Sequence, residues 1–259
     1  LSKGPIGKHG VFFNAGDATV TINNNQFESI NGDAMRATGA LGTWTIEGNL
    51  SKGPIAGDGV SFAGGHADAS VTINNNEFEQ IDGNGISAQD ALGTWTIEGN
   101  LSRGPIGGHA MYFYNQGGTM ALNDNTVTGS AKGILANGGS AAWTVTENNV
   151  TGVQDQGPQS GMSFDNLQAE GSLTVTDNTI TSVGSVGLGL MSNLASVALN
   201  ANTVSDTWSN TGGNTLAQVG IGVAIVDSIA VTLTSNTISN NAFAGVLIDL
   251  SGVDGAATI

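Results

Sequence analysis

The stretch ALGTWTIEGNLSKGPI at residues 40–55 returns at 91–106 as ALGTWTIEGNLSRGPI, 51 residues on, with one Lys-to-Arg change. VTINNNQF at 20–27 returns as VTINNNEF at 71–78 with the same offset, and the chain opens on LSKGPI, the tail of the first phrase. Inside this long period lies a shorter one, apolar-Thr-apolar-x-x-Asn, ending on Asn25, Asn49, Asn76, Asn100, Asn125, Asn148, Asn178, Asn202 and Asn236. A second marker, Gly or Ala followed by a large apolar residue, precedes it in each unit, from His9-Gly10-Val11 to Ala244-Gly245-Val246. Ten such markers cover essentially the whole chain. Repeats of this length, built from short runs of period two with no helical period, are the mark of a parallel β-solenoid.

The expected fold is therefore all-β: one parallel β-helix over residues 1–259, about ten coils of roughly 24 residues. At about 4.8 Å per coil the rod would be on the order of 45 Å long. Residues 1–150 form the regular, duplicated part; 151–259 diverge, with loop insertions near 151–161 and 205–219. Alternate residues of each run point inward. One inward file reads Val20, Trp44, Val71, Trp95, Met120, Trp143, Leu173, Val197, Val231, and another Phe13, Ala37, Phe62, Ala88, Phe113, Ala136, Phe164. Large and small residues alternate between neighbouring coils, which fills a narrow interior without clashes and makes two coils the duplicated unit. The asparagines are expected to turn tight corners in left-handed backbone and to bond to one another along the rod.

Composition agrees. Of 259 residues 40 are Gly, none is Cys and 10% are charged, with a net charge of −15. Glycine without a G-X-Y period points to turns and not to collagen. Absent cysteine excludes disulfide staples and thiol chemistry. The six bases, Lys3, Lys8, Arg36, Lys52, Arg103 and Lys132, all lie within residues 1–132, and no base follows, so a nucleic-acid groove is excluded. The longest apolar stretch, 219–226, is too short to span a membrane. The chain starts without Met inside a repeat and carries no signal peptide, so it is expected to be a piece of something longer.

GNGISAQ at 83–89, LTVTDNTI at 173–180 and VTLTSNTISNN at 231–241 resemble the right-handed parallel β-helix repeats of bacterial secreted and surface proteins. That group includes autotransporter passengers, adhesins, pectate lyases and polygalacturonases. The resemblance implies the right-handed coil and an extracellular or cell-surface location, and leaves the activity open.

Four features bear on chemistry. The residues before the Gly/Ala marker, His9, Asp33, Asp58, Asn84, His109 and Lys132, form a column. Neighbours near 5 Å apart there would suit a divalent metal or a carboxylate pair. Asp33, Asp58, His9 and His109 are the metal candidates, and Ca²⁺ the cation they would take, although no GGxGxD-type calcium repeat is present; no cofactor is otherwise expected. Arg36 lies beside Asp33, but the basic residues and clustered aspartates of the lyase and hydrolase sites are not reproduced, and Arg103 is read as part of a GPI turn. Outward-facing Thr21, Thr45, Thr72, Thr96, Thr144, Thr174 and Thr232 form a hydroxyl file, with a second file two residues earlier, and resemble the faces of solenoid ice-binding proteins. Phe12, Tyr112 and the loop residue Trp208 are candidate contacts for protein or for host or matrix glycans.

The leading expectation is a noncatalytic structural or adhesive segment of a bacterial surface protein. It would continue end to end, through other copies of itself or adjoining segments of a longer chain, because a solenoid without caps exposes strand edges. The alternatives are a carbohydrate-active enzyme and an ice-binding solenoid.

Overall fold

The computed structural model describes residues 5–153, 161–184, 186–207, 219–225, 230–242, 244–249 and 256–258, and among them every regular element longer than a bridge is a β-strand. Each coil contributes three runs. In the fourth they are Ile86–Gln89, Thr94–Glu98 and Leu101–Arg103. In the first two coils the first and second runs fuse into the 13-residue strands Val11–Asn23 and Met35–Glu47. Every run pairs in parallel with its counterpart in the next coil. The first and second runs make an 18-stranded sheet, and the third runs a 9-stranded one. About eight turns are traced without a break inside the coil, slightly fewer than the ten expected; the ninth and tenth are represented by pieces.

The interior files run as the sequence predicts. Val20, Trp44, Val71 and Trp95 are successive register partners, and so are Phe13, Ala37, Phe62 and Ala88. The two files interlock. A coil with Trp in one carries Ala in the other, and the coils on either side carry Phe beside Val, Met or Leu. Phe62 thus sits edge-on between Trp44 and Trp95, with ring centroids 5.6 and 5.0 Å away, and Trp143 packs the same way between Phe113 and Phe164. This edge-to-face geometry suits the ring quadrupoles.

A third file, in the small sheet, alternates too: Phe27, Ser51, Phe78, Ser102. Here the marker glycine acquires its reason. A Cβ on Gly10 or Gly59 would stand 2.8 or 2.4 Å from Phe27 or Phe78, so these phenylalanines fit only where the facing residue has no side chain. Three alternations, one more than the two read from the sequence, hold the two-coil period.

The asparagine ladder exists, and its mechanism corrects the expectation. The left-handed corner is made by the residue before each ladder asparagine: Asn24, Gly48, Asn75, Gly99, Asp124, Glu147, Asp177, Ala201 and Ser235 all have φ between 50° and 64°. The asparagine itself turns inward and bonds. Asn100 N and Nδ2 donate to Asn125 Oδ1 at 3.0 Å each, while Nδ2 also reaches Ile73 O of the preceding coil at 2.8 Å. The same set recurs at Asn49, Asn76, Asn125, Asn148, Asn178 and Asn202. Each amide is buried with its donors and acceptor used, which a buried polar group requires.

Candidate functional site

The column before the Gly/Ala marker is a second ladder. Its side chains stand where the backbone of the next coil presents an N–H, and they accept it: His9 Nδ1 from Asp33 N at 3.1 Å, Asp33 Oδ1 from Asp58 N at 2.8 Å, Asp58 Oδ1 from Asn84 N at 2.7 Å, and Asn84 Oδ1 from His109 N at 2.8 Å. The sequence shows why imidazole, carboxylate and amide interchange here: each offers one acceptor at the same reach.

The adjacent acids are thereby given different surroundings. Asp33 Oδ2 takes the Arg36 guanidinium at 3.1 Å and lies 3.5 Å from His9 Nδ1. Among the described residues no cation pairs with Asp58. Burial pushes its carboxyl above the ordinary 3.8 and the neighbouring Asp33 charge pushes the same way, against hydrogen bonds from the Asn84 backbone and side chain and from Ser87. His109 lies two coils beyond Asp58, with Asn84 between them. Among the described residues no three His, Asp or Glu side chains gather as a metal-ligating group.

Phe12, Arg36, Ser61, Ser87 and Tyr112 are register partners in consecutive coils, with Ser61 and Ser87 buried. Phe12 is 53% exposed and stacks on His9, and Tyr112 stacks on His109, with centroids 5.6 and 5.3 Å apart. Four coils, or about 19 Å, separate the two aromatic pairs. Trp208 lies outside the described residues, as do 154–160 and 208–218 of the two insertions.

The outward threonines are in register. Thr21, Thr45, Thr72 and Thr96 are consecutive partners, Ala121 follows, and Thr144 and Thr174 resume the file; Ala198 separates Thr174 from Thr232. A further hydroxyl array, missed in the sequence reading, covers the small sheet in the second half of the rod. Thr126, Asn149, Thr179, Thr203 and Thr237 form one file, and Thr128, Thr151, Thr181, Ser205 and Ser239 another. Its signal, Thr-apolar-Thr directly after the ladder asparagine, is visible in 126–128 and 179–181. In the first half the same face is charged. Arg103 is an outward strand residue there, not a turn residue: its Nε meets Glu79 at 2.6 Å and its guanidinium also contacts Glu77, while Lys52 reaches Glu79 at 3.3 Å. The GPI segment begins only after it.

Among the described residues no helix is long and apolar enough to cross a membrane. The family model described as right handed beta helix region matches residues 9–204. No curated protein and no solved structure matches the chain.

Proposed function

The chain belongs to the right handed beta helix family, and on that premise we propose that it is a noncatalytic structural or adhesive rod of a bacterial cell-surface protein, extended end to end. The observation that carries this reading is the use made of the polar columns. The side chains that could have formed a reactive cluster, His9, Asp33, Asp58 and Asn84, each hold the backbone of the next coil. The buried asparagines do the same along the other corner. Such a rod offers its outer faces, with Phe12, Tyr112 and the threonine files, to glycan or protein partners.

Asp58 favours one second reading, a carbohydrate-active enzyme, because a carboxyl whose pKa is pushed above its usual range by burial, beside a second carboxylate, is the raw material of general acid catalysis. Purified chain incubated with pectin, alginate and mixed glycans separates the two. The rod reading predicts no new reducing ends or unsaturated products above a buffer control; turnover that disappears in Asp58→Ala would establish the enzyme instead.

A further inference from the structure

We infer that the outer face of the first coil is a docking surface for one more parallel coil, of the type that carries Trp and Ala in the two interlocked files. This deepens the end-to-end part of the reading above by naming what fits the end.

The surface is apolar and incompletely covered. Ile6, Val11, Phe13 and Val20 are only partly buried, whereas their counterparts one coil on, Ile30, Met35, Ala37 and Trp44, are buried. The strand Val11–Asn23 pairs with Met35–Glu47 along one edge, and among the described residues no strand pairs with the other. Phe62 has a tryptophan on each side; among the described residues Phe13 meets Trp44 alone, at 5.2 Å. A cavity of about 60 Å³ opens beside it, lined by Phe13, Asn14, Gly16, Ala18, Val20 and Trp44. The ladder ends there with a defined polarity. Asn25 donates through N and Nδ2 to Asn49 Oδ1, and among the described residues its own Oδ1 receives no asparagine donor. An arriving coil must therefore bring donors at that corner.

The alternation selects the occupant. Val71 lies between Trp44 and Trp95, and Phe62 between Ala37 and Ala88, so Val20 and Phe13 call for Trp and Ala. Residues 35–49 hold both, together with a ladder asparagine. Ile6 already bridges Ile30 as Ile55 bridges Ile81, the contact that follows such a segment. The opposite end of a second copy fits less well. Register puts Ile248 and Ala257 at the two positions, where the alternation calls for Ala and Trp.

The test is to fuse a copy of residues 35–49 ahead of Leu1 and follow amide exchange of Val11–Asn23. The matched coil should slow exchange there by about tenfold or more, as expected when a frayed edge joins a cooperative unit. A fusion carrying residues 60–76, the Phe and Val type, should protect less, and so should the matched fusion with Trp44→Val in the added copy. Equal protection by either control, or none by the matched coil, overturns the inference. Concentration-dependent protection in the unmodified chain also overturns it, in favour of a second copy. None of these results bears on turnover, which tests the noncatalytic reading separately.

Discussion

At the scale of single residues, the rod tolerates odd choices only where a neighbour permits them. Ile6, Ile30, Ile55, Ile81 and Ile106 stack along one corner, and Ser130 takes the next place, its neighbour Ala131 bonding Ile106 O as Gly107 bonds Ile81 O. Ser130 is buried and, among the described residues, its hydroxyl has no hydrogen-bond partner. A buried unpaired hydroxyl costs on the order of 1–3 kcal/mol, and the site was built for a larger side chain. Ser130→Val is therefore expected to stabilise the chain by about 1 kcal/mol in urea unfolding, a loss of stability being the contrary result. The left-handed corners show the same local licence. Only the backbone conformation is shared among Gly48, Asn75, Asp124, Glu147 and Ala201, with φ from 52° to 63° at four of them and 50° at Asp124. Because the side chain there is free to vary, nothing in the residue type announces the corner. The sequence reading accordingly assigned it to the asparagine beside it, whose identity is fixed by hydrogen bonding.

At the scale of the strands, what could be read in advance was what repeats by type. The interior files were legible because Trp against Val and Phe against Ala recur at 51 residues and a two-residue side-chain period locates them. The small sheet was harder. Its runs are mostly three residues, as in Leu101–Arg103 and Thr126–Thr128, and two in Gln26–Phe27, too few for a period to show, which hid both the strand position of Arg103 and the second hydroxyl array. The column from His9 to Asn84 was legible as a column but not as a ladder, because the acceptor is a side chain and the donor a backbone group one coil away. The asparagine ladder lends itself to measurement. Asn125→Ala leaves the N–H and Nδ2 of Asn100 without their acceptor and takes the donors from Asn148 Oδ1. A loss of about 3 kcal/mol is expected in denaturant unfolding, whereas a loss below about 1 kcal/mol would mean that the ladder does not hold the stack.

For the whole molecule, stability in a stack of coils is a sum of coil-to-coil contacts, so the two polar ladders and the three interlocked files act together in place of disulfides. The charge distribution follows the same division. The first half pairs Lys52 and Arg103 with Glu77 and Glu79 on the small sheet, and the second half covers that face with hydroxyls. The account stands or falls on whether the polar columns serve the stack or a reaction, and Asp58 is where the two diverge most. Its folded pKa lies above the unfolded value of 3.8, so folding takes up a proton; the ionised group opposes folding at neutral pH, and that penalty fades as the pH falls toward 3.8. The direct measurement is the unfolding free energy of Asp58→Asn and Asp58→Ala at neutral pH. The ladder account predicts that Asn, which fills the same role at position 84, is at least as stable as the parent, by a margin that shrinks in acid. Ala, which strips the acceptor from Asn84 N, should lose about 1–3 kcal/mol. An Asp58→Ala chain more stable than the parent would contradict it, because that is the mark of an acid kept for chemistry at the expense of the fold.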